Sequence, residues 1–234
     1  MGFRRTRPRA VCDGLLERDI PFVAFGRSAT SGAFPFVDID HQVVGRAGCA
    51  RFIALSHRRI ALVHAPEHLM FSHLERTGYA EALRAAGIRF DKSLSIEADI
   101  TEEGGAEAVR RLLKLADPPT AIVCGHDLIA LGALRSIAET GKMPGPDVGV
   151  IGGDNHPIGR SVHPALTTFS AETHRAGKRM AEMLLQRLEG VPLPFKPCTS
   201  RLNCSATADA FAPSHVPKHV EAPKPMTNAD RSHQ

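Results

Sequence analysis

No two cysteines in this chain have the spacing of a redox or zinc motif, and the five present, Cys12, Cys49, Cys124, Cys198 and Cys204, are an odd set. That argues against a disulfide framework and a structural zinc site, leaving five thiols. Long apolar runs are also missing. Every hydrophobic stretch is strand-sized or broken by charge, and none approaches the roughly 18 residues a membrane span needs. The opening MGFRRTRPRA is charged but has no apolar segment after it, so no secretory signal is expected and the cytoplasm is the expected location. The G-x-x-x-x-G-K-[ST] phosphate loop, the G-x-G-x-x-G dinucleotide turn, the G-x-S-x-G elbow and the H-E-x-x-H zinc pair are all absent. No catalytic residue and no cofactor is therefore expected.

What remains is an ordinary soluble composition, 43% hydrophobic and 23% charged over 234 residues, enough for one or two domains. Much of the net charge of +4 comes from Arg4, Arg5, Arg7 and Arg9, which read as a solvated arm rather than a DNA reader. The twelve histidines are scattered, and His68 and His73 lack the i, i+4 spacing of a helical metal pair, so no metal is expected.

The stretch from Pro119 to Asn155 carries the most information, because it reads as strand, helix, strand with a carboxylate at the end. Thr120–Cys124 is a short apolar strand, and His126-Asp127 offers a helix N-cap whose carboxylate would accept from the first turn. Leu128, Leu131, Ala133, Leu134 and Ile137 follow at helical spacing, Gly141 ends the helix, and Val148–Ile151 is a second buried strand. Such a unit is parallel and right-handed, and open parallel sheets bind ligands beyond their strand carboxyl ends, where Gly153, Asp154 and Asn155 fall. Asp154 is suited to accept hydroxyl hydrogen bonds from a polyol; a turn-forming role fits it equally well. Arg76 could reach a cleft, although a surface ion pair with a neighbour such as Glu75 is the simpler reading.

Similar alternation extends along the chain. A helix end at 11–20 precedes a buried strand Pro21–Phe25 and an extended Val37–Asp40; a helix Val43–Leu55, a strand Ile60–Val63 and a helix Leu74–Ala86 follow. Next come a strand Leu94–Ala98, a helix from Thr101 to Leu115, the Pro119–Asn155 unit, a strand Leu166–Phe169, and a helix of about 172–188 with Ala176, Met180, Leu184 and Leu188 as its apolar face. This order specifies an α/β architecture with parallel sheets.

In this order and spacing, IPFVAFGR, VDID, SHRRIALV, RTGYAEALRAAGI, PTAIVCGHDLIALGALR, PDVGVIGGDN, PALTTF and AGKRMAEMLLQRLEG resemble the effector-binding core of the LacI/GalR-type bacterial transcription regulators, from about Leu15 to Pro197. The resemblance implies a two-lobed fold like the type I periplasmic binding proteins, with a sugar-like effector in the cleft and no enzymatic activity. It divides the chain into a basic arm (1–10), a remnant of the first lobe (11–40), the second lobe (41–165), a return segment with a first-lobe helix and terminal strand (166–204), and a disordered tail (205–234).

By the same resemblance the candidate effector contacts are Asp154, Arg76, His126, Ile100, Phe71 and Ser72. The pattern departs from the family's at three of its markers: Glu75 holds the offset of the usual clamping Arg, His126-Asp127 replaces an Asn-Asp pair, and Ile100 stands where an aromatic often stacks. A helix-turn-helix headpiece, a hinge helix and the first lobe's opening strands should precede Val11, so a truncated first lobe is expected, with DNA reached only through a headpiece absent from this chain. The expected function is sensing a sugar or small metabolite to control DNA binding allosterically, as a homodimer away from any membrane. The rival readings are a solute-binding protein of a sugar transporter and an α/β enzyme.

Overall fold

Strand β3 (Ile60–His64) is buried at every residue, as are β5 (Ala121–Cys124) and β6 (Gly149–Gly152). Continuous burial means that both faces of the sheet are covered, the condition under which parallel strands are found. In the computed structural model, which describes residues 8–27, 34–170, 173–191, 198–200 and 203–205, these strands are joined by β4 (Ser95–Glu97), β7 (Thr167–Ser170) and β9 (Asn203–Ser205). The six-stranded sheet has the order β4-β3-β5-β6-β7-β9, parallel except for the antiparallel β9.

The period of two along each strand sends alternate side chains to opposite helical layers. Ala61, Val63, Ile122 and Val150 meet α4 (Glu102–Leu113) and α5 (Asp127–Glu139) through Val109, Leu112, Ile129 and Ile137. On the other face Ile60, Leu62, Val123 and Ile151 meet α2 (His41–Ala54) and α3 (Met70–Ala85) through Phe52, Tyr79 and Leu83.

Each helix pair crosses on glycines. A side chain on Gly78 would overlap the Gln42 carbonyl, and one on Gly132 would overlap that of Glu102, so the two backbones pack directly against each other. Caps set the starts: Asp40 accepts from Val43 N–H at 3.1 Å, and Thr101 from Gly104 N–H at 3.0 Å.

A second, three-stranded parallel sheet has the order β1-β2-β8, from Ala24–Phe25, Phe36–Ile39 and Cys198–Ser200. Val37 packs there against Ala176 and Met183 of α6 (Thr173–Leu188), with Val23 and Met180 beside them. Helix α1 (Pro8–Glu17) precedes it.

Three sequence expectations need correction. The buried strand expected over Pro21–Phe25 shrinks to Ala24–Phe25, because among the described residues β1 pairs with β2 alone and lies at an edge; Phe25 is 53% exposed. The apolar face of α6 does not reach Leu188, which is exposed: a strict four-residue step drifts away from a 3.6-residue turn, and burial follows Ala176, Met180 and Met183 instead. Asp127 does not cap its own helix; His126 holds the cap position, without a side-chain cap bond, and the Asp127 carboxylate points elsewhere. Residues 1–7 of the expected arm, 28–33 of the loop before β2 and the expected tail beyond Ser205 lie outside the described residues.

Candidate functional site

Fully buried Asp127 ties the carboxyl end of β6 to α5. Its Oδ1 accepts from Gly153 N–H at 2.9 Å and from the Thr168 hydroxyl at 2.6 Å, and its Oδ2 accepts from His156 N–H at 2.6 Å. Thr168 Oγ1 in turn accepts from the N–H groups of Asp154 and Asn155, both at 3.1 Å. Hydrogen bonding to backbone on this scale satisfies a buried carboxylate and holds the 153–156 turn rigid.

Held this way, Asp154 sends its carboxylate back over the start of α5. Oδ2 accepts from Asp127 N–H at 3.2 Å and lies 3.0 Å from His126 Nδ1, with 40% of the side chain still exposed. A carboxylate at a helix N-terminus is favoured by the helix dipole. The turn-forming and ligand-accepting readings of Asp154 therefore coexist: one oxygen caps the helix while the side chain stays open to solvent. Burial alone would raise the Asp154 carboxyl, but the His126 bond and charge, helped by Asp127 N–H and by His41, hold it below the ordinary carboxylate range. Burial pulls His126 the other way, yet Asp154, Glu75 and Asp127 together hold the imidazole above its ordinary value.

A second carboxylate–imidazole contact flanks the first. Glu75, 1% exposed, places Oε1 2.9 Å from His41 Nδ1. Phe71 lies between the two histidines, its ring centroid 5.4 Å from His126, edge-on, and 5.4 Å from His41. Asp154, His126, Phe71, His41 and Glu75 thus form one continuous cluster at the carboxyl ends of β5 and β6, where a parallel sheet presents its ligand contacts. Carboxylates and imidazoles around an aromatic ring suit a polar, hydroxyl-bearing ligand.

Of the six candidates from the sequence, Asp154, His126 and Phe71 come together. Arg76 turns to Glu67 at 3.0 Å and lies over the Phe90 ring. Ser72 is fully buried and bonds the Ala65 carbonyl and His64, which secures the turn from β3 into α3. Ile100 is half-buried beyond β4, and no contact above involves it. His41 was not foreseen, because the first residue of a helix 34 positions from its partner carries no pattern signal. Among the described residues no group of three His, Cys, Asp or Glu could hold a metal ion, and no helix is long and apolar enough to cross a membrane.

The family model described as a periplasmic binding protein-like domain matches residues 49–202. A regulatory protein of the LacI family from Chloroflexus aggregans superposes with a TM-score of 0.79 at 30% identity, over 87% of this chain and 72% of that one. This chain belongs to the LacI family. A transcriptional regulator CelR–cellobiose complex is similar to this LacI-family chain at a TM-score of 0.79 and 30% identity, covering 86% of this chain and 62% of that one. The HTH-type transcriptional regulator AglR of Rhizobium meliloti (strain 1021) is 38% identical over 172 residues, 71% of this chain and 48% of AglR. The chain spans about half the length of the curated relatives it matches. These relatives are transcriptional regulators rather than enzymes or transporter components, and the two parallel sheets agree with their periplasmic-binding-protein-like fold.

Proposed function

We propose that this chain is the effector-sensing part of a LacI-family transcriptional regulator working in the cytoplasm, and that a sugar or other small polyol binds beside Asp154, His126 and Phe71. The single observation that carries this reading is the Asp154 carboxylate, fixed by Asp127 and Thr168 at a strand end yet 40% exposed. A fixed acceptor open to solvent is pre-organised for hydroxyl donors, so little ordering cost falls on binding. The CelR structure, described as a cellobiose complex, supports a sugar as the ligand class.

Ligand binding acts through linkage: an effector that prefers one arrangement of the two sheets shifts the population toward it. Operator recognition is assigned to a helix-turn-helix element of the kind named in AglR's description. The working unit is a homodimer, and the apolar groove between α5 and the 157–163 turn, lined by Leu131, Leu134, Ile158 and Val162, offers a face for it.

Titration calorimetry of the folded chain against a panel of mono- and disaccharides tests the reading. One class should bind, and Asp154→Ala should weaken it by roughly 10- to 150-fold, the loss of charge-assisted hydrogen bonds worth about 1.5 to 3 kcal/mol. A folded chain that binds no sugar or polyol overturns the proposal.

A further inference from the structure

The cluster contains no permanent cation among the described residues bonded to its carboxylates. Two carboxylates, Glu75 and Asp154, face two imidazoles, His41 and His126, and among the described residues no lysine or arginine bonds either carboxylate. Arg76, on the same helix as Glu75, is engaged by Glu67, and Arg160 bonds Asn155 Oδ1 at 3.3 Å. Further out, Glu97 ends β4 and Asp99 follows it, both exposed at the same end of the sheet.

Glu75 supplies the second, independent observation. Its Oε2 is buried and has no hydrogen-bond partner among the described residues, and His126 Nε2 is in the same condition. Oε2 lies over Gly125, the residue next to His126, where a side chain at 125 would overlap it. A buried carboxylate oxygen without a donor is among the most costly polar groups a fold can retain, so a donor delivered there is strongly favoured.

Phe71 stands one helical turn before Glu75 on the same face of α3 and is only half-buried, wedged between the rings of His41 and His126. The ring also provides a π-face for a cation.

We propose that the effector carries a protonated amine, as an aminated sugar or aminated polyol, and that Glu75 is its counter-charge. This rests on the reading above that the cleft binds a polyol: Asp154 takes hydroxyls while Glu75 Oε2, the buried oxygen with no donor among the described residues, takes an ammonium N–H. Uronates and sugar phosphates are rejected by the two carboxylates.

The test is calorimetry on the chain with glucose, galactose and cellobiose, each beside its 2-amino counterpart, with N-acetylglucosamine and glucuronate as controls. At least one amine should bind about tenfold or more tighter than its parent sugar. N-acetylation should remove the advantage, and so should raising the pH through the amine's own pKa, a measurement that needs no variant. In Glu75→Gln the amine and its parent should bind within about twofold of each other, whereas a purely structural Glu75 would lower the melting temperature and leave that ratio intact. Parent sugars binding as well as or better than the amines overturn this inference and leave the polyol reading standing. A folded chain that binds neither class overturns both.

Discussion

The two sheets follow one grammar and reach different degrees of completion. In the six-stranded sheet, β3, β5 and β6 are buried throughout, with a helix pair on each face and glycines drawing each pair together. In the three-stranded sheet β2 is also buried throughout, and Val37 packs on Ala176 and Met183, while Phe25, Leu185 and Leu188 remain more than half exposed. The cluster around Asp154 belongs to the complete sheet. Positioning a ligand group to a fraction of an ångström requires supports that are themselves locked by packing, and the six-stranded sheet supplies them on both sides.

The largest effect expected from this contrast is in core truncation. Ile122→Ala, at a fully buried strand position, should cost about 2 to 5 kcal/mol, whereas Leu185→Ala on α6 should stay within about 0.5 kcal/mol. Urea unfolding of both variants measures the difference, and equal losses would mean that α6 is buried as deeply as β5.

Glycine replacement sharpens the comparison. Gly132→Ala forces α5 off α4 at the Glu102 carbonyl and should destabilise by about 1 to 3 kcal/mol. Gly177→Ala meets nothing within 4 Å and should stabilise α6 by about 0.5 to 1 kcal/mol through helix propensity alone. Thermal melts that move in the same direction would contradict the packing described.

The smallest effect is electrostatic. Asp154 is held below its ordinary value, so its contribution to stability is present above that value and fades as pH falls through the lowered one. His126 is held above its ordinary value, so its contribution is full below that value and fades as pH rises through the raised one. The pair therefore contributes most above the ordinary carboxylate value and below the ordinary histidine value, and is lost as pH passes the lowered carboxyl value or the raised imidazole value. NMR titration of the His126 ring should show its pKa fall in Asp154→Asn, because burial stays and the main opposing charge goes; an unchanged value would detach the two residues.

Much of the larger sheet was legible in the sequence because the runs at 60–63, 120–124 and 148–151 are apolar almost throughout and have few alternative uses. Phe25 and Leu188 misled because hydrophobic periodicity cannot report whether a neighbour exists to cover the face. Within the cluster, Asp154 was visible as a strand-end carboxylate beside glycines, and Asp127 as a helix-start residue whose actual partners lie 26 to 41 positions away. Glu75 and His41 are joined only by the crossing of α2 and α3, and that crossing depends on the absence of side chains at Gly45 and Gly78. A contact created by what two residues lack leaves little trace in a hydrophobic pattern.

The order of strands also governs when each sheet can be completed. As the chain is synthesised, β3 to β7 emerge in one uninterrupted stretch and can assemble as they appear, with α3, α4 and α5 made between the strands from β3 to β6. Strand β2 emerges earlier, yet one of its two neighbours, β8, is made only at 198–200. Closing so long a loop is slow, and until then one edge of β2 is open to any other extended chain nearby. The wait between β2 and β8 is far longer than that between neighbours within β3 to β7, so it is the interval in which a nascent chain of this design is most exposed to a wrong partner.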